Sequence, residues 1–184
     1  SLKDIAYKAL QFKEQYINEF QKEPTIEIIA KELELEEIDV VIALEAMQDP
    51  SIQVGAFLKQ IDGNYKVGNS EHFIIEACEY VESFLKFYPK AEVILNIDND
   101  HLDYFKNIEN INRAFINYVK LLPEDGLLVV NVDNEYCKQL HNFTTAKTIS
   151  YGIENERANF LGRNITFDKN GFPRFDVYYN NRFY

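Results

Sequence analysis

A carboxylate and a histidine flanked by acids stand where strand-like runs end. Glu76 follows the apolar run Phe73-Ile74-Ile75. His101 lies between Asp100 and Asp103, just past the run from Glu92 to Ile97. Open α/β sheets bind ligands beyond the carboxyl ends of their strands. Carboxylates placed there suit Mg²⁺, which takes oxygen ligands and keeps several waters. On spacing alone, an Asp/Asn run after a strand is also what a solvated turn looks like, and Glu76 reads equally as a structural or surface carboxylate. His72 and His141 have no motif around them and read as surface residues. No Gly-Lys dipeptide occurs in the sequence, so it contains no GxxxxGK[ST] phosphate loop. Cys78 and Cys137 are too few for a disulfide framework and read as free thiols of a reducing compartment.

The elements that position these residues lie beyond Asp49-Pro50, where all seven glycines fall. The apolar run at Phe73 predicts a short strand, Tyr80 to Tyr88 a helix closed by Pro89, and Glu92 to Ile97 a second strand. Asn107 to Leu122 predicts a helix with Ile108, Ile111, Phe115, Tyr118, Val119 and Leu122 on its inner side. Strands at Leu127–Val132 and Thr148–Tyr151 flank a short helix at 134–141. Such alternation implies a largely parallel sheet. The tail differs: Asn164–Phe167, an Asn-Gly turn and Arg174–Tyr179 predict a β-hairpin.

The first fifty residues hold no glycine and read as helices. Ile5, Ala9, Phe12, Tyr16 and Phe20 form an amphipathic stripe. Pro24 ends it, Thr25 is placed to cap a second helix over Ile26–Leu33, and a third runs from about Glu36 to Gln48. Its centre, Val40 to Leu44, is apolar all round and expects burial on more than one side. Net charge is −11. Residues 1–50 carry 5 basic and 12 acidic side chains, residues 51–184 carry 14 and 18. This balance opposes attraction to nucleic acid or anionic membrane. No apolar run approaches the roughly 18 residues of a membrane span, and the N-terminus lacks the regions of a signal peptide. A cytoplasmic location is the expectation.

The string from DIAYKAL to AMQDP, with its EPTIxxIAKEL core, resembles region 3 of the sporulation sigma factors, the forespore-specific kind. In that family the region touches RNA polymerase and upstream promoter DNA. Here Leu33-Glu34-Leu35-Glu36-Glu37 replaces the family's turn glycine, and the acidic balance is wrong for an independent DNA binder.

Residues 50–184 resemble the central, ATP-binding domain of the Mur ligases. The matching segments begin at QVGAFLKQIDGNYKVGNSEHFIIEACEY and continue through NIDNDHLD, LLPEDGLLVVNVDN and ISYG. The resemblance implies ATP-driven joining of an amino acid to a nucleotide-linked muramic acid. It also implies that Glu76 and His101 are vestigial Mg²⁺ ligands, and that the loop holding Gly63, Asn64, Gly68 and Asn69 sits near the nucleotide-sugar substrate.

Together these give an α/β fold: an N-terminal three-helix segment (1–49) packed on a largely parallel Mur-ligase-like sheet (50–184) that lacks its phosphate-loop strand, with a C-terminal β-hairpin, in one fused core. The expectation is a chimera, natural or engineered, without catalysis, since the phosphate loop and flanking domains are missing. No cofactor is expected beyond weak Mg²⁺, and no nucleic acid or membrane partner. A gap in the sheet invites a homodimer by strand or segment exchange. Two alternatives stay open: a residual Mg²⁺ or nucleotide-sugar binding module, and an RNA polymerase or DNA contact through residues 1–49.

Overall fold

The structure, a computed structural model, describes residues 2–45, 49–180 and 182–183. The chain divides into two compact units, 1–76 and 77–184. The division falls after Glu76 rather than at Asp49-Pro50.

The first unit opens with helices α1 (Leu2–Phe20), α2 (Ile26–Leu33) and α3 (Glu37–Glu45). Ala9, Ile29, Ala30 and Val40 form their buried core, with Phe12, Ile26, Leu33, Leu35 and Leu44 packed against it. The stripe on α1 is thus inward at Ala9 and Phe12, but Phe20 is 56% exposed and rests on Tyr16 instead, ring centroids 4.5 Å apart. Thr25 caps α2 as its sequence position implies, its Oγ1 accepting from the Ile28 N–H at 3.3 Å. Where a turn glycine was missed, Glu34 takes the left-handed conformation itself (φ 55°, ψ 45°). The Leu35 N–H reaches the Ala30 carbonyl at 2.9 Å, closing α2 with a Schellman turn. Val40 and Ala43 on α3 are fully buried. The expected extension of α3 through Met47 to Gln48 lies outside the described residues.

Three strands follow: β1 (Ser51–Leu58), β2 (Gly63–Lys66) and β3 (Phe73–Ile75). β1 pairs antiparallel with β2 and parallel with β3. The β1–β2 hairpin has no counterpart in the sequence reading. The Phe73 strand also pairs with β1, not with the main parallel sheet, because Ser51–Gln53 offers it a ladder.

The second unit holds a six-stranded sheet in the order β4 (Ala91–Ile94), β5 (Leu127–Asn131), β6 (Lys147–Gly152), β7 (Phe160–Phe167), β8 (Pro173–Tyr179), β9 (Arg182–Phe183). β4 through β7 run parallel, and β8 and β9 return antiparallel. A mixed α/β fold with a parallel sheet and a C-terminal hairpin is therefore observed. Helix α4 (Leu102–Phe105) is a single turn, and α5 (Ile108–Val119) starts at Asn107, whose side chain accepts from the Asn110 N–H. The inner side of α5 buries Ile111, Ala114, Tyr118 and Val119 against Phe84, Ile94, Leu128, Val130 and Leu140. The expected helix at Tyr80–Tyr88 is instead a 3-10 segment, Tyr80–Lys86, broken where Val81 and Glu82 take positive φ (49° and 56°). The short helix expected at 134–141 is likewise 3-10, Cys137–Phe143.

Candidate metal site

Glu76 ends β3 in the first unit. Its N–H donates to the Gln53 carbonyl at 2.9 Å, and its Oε2 accepts from the Gly55 N–H at 2.7 Å. Glu76 thus extends the β1–β3 ladder by one backbone bond and one bond to its side chain, the second being a structural use of the carboxylate. A Cβ at residue 55 would come within 3.5 Å of that oxygen.

The segment carrying Gly63, Asn64, Gly68 and Asn69 is strand β2 and a turn that hooks onto residues 49–51. The Gly68 N–H donates to Ser51 Oγ at 3.1 Å, the Ser70 N–H to the Asp49 carbonyl at 3.1 Å, and Lys66 Nζ meets Asp49 Oδ1 at 2.5 Å. Beside it a cavity of about 270 Å³ is lined by Ser51, Gln53, Asn64, Tyr65, Lys66 and Phe73 among others.

In the second unit the structure groups His101 with Glu79 and Asp100. Nε2 lies 3.7 Å from Glu79 Oε1, and Nδ1 lies 3.9 Å from Asp100 Oδ1. One ligand atom from each of the three lies within 4.8 Å of the others, the one such group among the described residues. The local chain explains the placement. His101 takes a left-handed conformation (φ 50°) at the start of α4, and its N–H donates to Asp100 Oδ1 at 2.7 Å. Tyr80 lies tilted against the imidazole, centroids 4.7 Å apart, while its hydroxyl donates to Asp103 Oδ2 at 3.2 Å. The Asp103 charge, with that hydrogen bond, pushes the Tyr80 phenol above its ordinary pKa. The chain reverses at Val81-Glu82, and Phe84 beyond it packs on Phe115 and Tyr118 of α5. Glu79 is the residue that sequence reasoning missed; its signal is the Glu76-Ala77-Cys78-Glu79 spacing, a second acid three residues after the first. Two carboxylates suit Mg²⁺, and the imidazole adds a donor that also suits softer divalent ions, so the donor set fits a divalent cation.

The carboxyl ends of β4, β5 and β6 are tied together by Asn131, Asp133 and Asn134. Asn131 Nδ2 donates to the Leu95 carbonyl at 3.1 Å and Asn134 Nδ2 to the Ile97 carbonyl at 3.3 Å. The Asp133 carboxylate accepts from the N–H groups of Ile153, Glu154 and Asn155. An apolar cavity of about 280 Å³ opens there, with Asn131, Tyr151, Ile153, Phe160, Phe175 and Val177 in its wall.

A family model for the Mur ligase middle domain matches residues 22–182. The chain belongs to the Mur ligase middle-domain family. It is 49% identical over 139 residues to the UDP-N-acetylmuramate–L-alanine ligase of Clostridium novyi, covering 76% of this chain and 30% of that protein. It is 49% identical over 129 residues to the Alkaliphilus metalliredigens enzyme of the same name, covering 70% and 28%. Among solved structures it is similar to the UDP-N-acetylmuramate-alanine ligase of Thermotoga maritima, with TM-score 0.62 and 20% identity over 78% of this chain and 31% of that one. The UDP-N-acetylmuramate:L-alanyl-gamma-D-glutamyl-meso-diaminopimelate ligase of Neisseria meningitides gives TM-score 0.63 and 19% identity over 77% and 47%. At these identities the structures show the shared fold. The chain spans about 30% of the length of the two relatives. The Mur ligase match begins inside the helical segment and runs through Asp49-Pro50, and none of these relatives is a sigma factor. The chimera and sigma-factor expectations draw no support from them. Among the described residues, no helix is long and apolar enough to cross a membrane.

Proposed function

We propose that this Mur ligase middle-domain chain is a non-catalytic module that retains a weak divalent-cation site. The observation that carries the reading is the convergence of Glu79, Asp100 and His101. His101 would supply an imidazole nitrogen and the two acids one oxygen each. The cation would supply charge to hold a phosphate-bearing ligand of the type named for the relatives. Catalysis is not assigned, because the sequence holds no phosphate loop. That loop's backbone N–H groups and lysine neutralise the transferring phosphoryl group. Glu76, the Gly63/Asn64/Gly68/Asn69 turn and the two cavities are the proposed remnants of ligand contact, in a cytoplasmic protein.

Mn²⁺ and Mg²⁺ titrations followed by the His101 imidazole resonances test the proposal. Line broadening by Mn²⁺ at His101 that disappears in Glu79→Ala, with no ATP turnover in the presence of alanine and UDP-N-acetylmuramate, is the expected result. Equal broadening at His72, His101 and His141 would remove it.

A second reading rests on the separate core of α1–α3. It makes residues 1–49 a sigma-like contact for RNA polymerase in a recombined chain. Recovery of core polymerase by these residues supports it, and an empty pull-down removes it. A homodimer by strand exchange is a further proposal, read directly from solution mass.

A further inference from the structure

β4 is the terminal strand of its sheet, with β5 on one side and no strand on the other among the described residues. Exposure alternates along it: Val93 faces solvent, and Glu92 and Ile94 point into the core. Glu92 is 3% exposed, and neither carboxylate oxygen has a hydrogen-bond partner. It sits in register with Leu128 on β5, which offers it no charge. From α5 the titratable neighbour is Tyr118, pushed up to about 12 by burial and by Glu92 itself. Tyr118 is in turn stacked on Phe84 of the 3-10 segment, 4.4 Å between centroids. Cys137, in the same core, is likewise raised to about 12 by burial. The nearest cation along the strand, Lys90, is exposed and engaged with Asp125. Glu92 is therefore the group of this core that titrates near neutrality, and burial holds it protonated up to about 8.

An ionised carboxylate cannot stay in such a site without a partner. Inward-pointing charge is also a recognised guard on sheet edges. We propose that Glu92 is a proton-operated latch on the β4 edge: protonated, it keeps the strand docked on α5 and β5, and ionised, it leaves the core and takes β4 out of the sheet.

The sign follows from linkage. The docked pKa lies above the ordinary 4.5 of an exposed glutamate. Docking is therefore strongest below pH 4.5, weakens as pH rises towards about 8, and is flat above that. Over this window the opening constant rises about tenfold per pH unit.

Hydrogen exchange of the intact chain between pH 6 and 9, corrected for the intrinsic rate and read where exchange reports the opening equilibrium, tests the latch. Amides of β4 and of the β5 residues beside it should lose protection about tenfold per unit from pH 6 to 8 and then level off. Amides of α1–α3 should show no such slope. Glu92→Gln and Glu92→Met should both remove it. Flat wild-type protection across the range, or a slope that survives in either variant, overturns the proposal; should neither variant fold, the wild-type slope decides alone.

Discussion

Replacing Gly68 with alanine is the sharpest test of how the turn after β2 is held on Asp49-Pro50. That turn passes so close that a Cβ at residue 68 would stand 2.0 Å from the Asp49 carbonyl oxygen and 2.4 Å from the Pro50 carbonyl carbon. Both obstacles are backbone, so no rotamer change relieves them. Two routes to accommodation lead to similar costs. If the contact stays and the backbone shifts, overpacking costs about 1–3 kcal/mol. If the turn unhooks, the Ser70 N–H to Asp49 and Gly68 N–H to Ser51 hydrogen bonds are lost. These are worth about 1 kcal/mol each, and the half-exposed Lys66–Asp49 pair adds at most about another. Gly68→Ala should therefore destabilise the first unit by about 2–3 kcal/mol, a shift on the order of 10 °C for a unit of this size. Gly63 in the same segment has nothing nearer than 3.8 Å to its virtual Cβ, so Gly63→Ala should stay within about 0.5 kcal/mol. Urea denaturation gives the global cost, and exchange at the Ser70 amide gives the local one. Equal stability of the two variants would refute the reasoning, and would return Gly68 to the substrate-loop role that its family position suggests.

Two other substitutions or modifications separate structure from surface. Glu34→Gly should stabilise the helical segment by up to about 1 kcal/mol, since Glu34 holds the left-handed position where glycine carries no Cβ penalty; a loss of stability in thermal melts would mean that the Glu34 side chain has a contact of its own. Cys78 is exposed and Cys137 buried, and burial holds the Cys137 thiol up at about 12. A thiol reagent at pH 8 should therefore modify one cysteine in the native chain and both in guanidinium, and rapid modification of Cys137 in the native state would show that its core opens.

What the sequence shows of this fold depends on whether the deciding interaction is local. Thr25 caps its helix as its sequence position implies, and Asn107, read as the first residue of a helix, caps α5 in the same way, because a cap is a side chain meeting a backbone N–H three residues on. The apolar runs at Val93 and Val129 are paired parallel strands, as their apolar, β-branched composition implies. The β1–β2 hairpin was overlooked although Asp62-Gly63 marks it: its turn runs Lys59-Gln60-Ile61-Asp62, and Asp62 rather than the glycine takes the positive φ of 50°. The positive φ of Val81 is less legible, since a β-branched residue is the last one a turn would choose.

The same distinction governs the candidate site. Glu76 looked like a ligand because it ends an apolar strand, yet its carboxylate holds the Gly55 N–H. Glu79 carried no such mark, and is the acid found beside His101. A ligand role and a ladder role compete for the Glu76 carboxylate, whose Oε2 lies 2.7 Å from the Gly55 nitrogen. If Glu76 held the cation through Oε2, cation binding would compete with that bond and loosen β1. If Glu79 holds it, β1 is untouched by the cation. Exchange at the Gly55 amide with and without Mn²⁺ or Mg²⁺ distinguishes the two. Unchanged protection at Gly55 together with a response at His101 assigns the cation to Glu79, and accelerated exchange at Gly55 would give it back to Glu76.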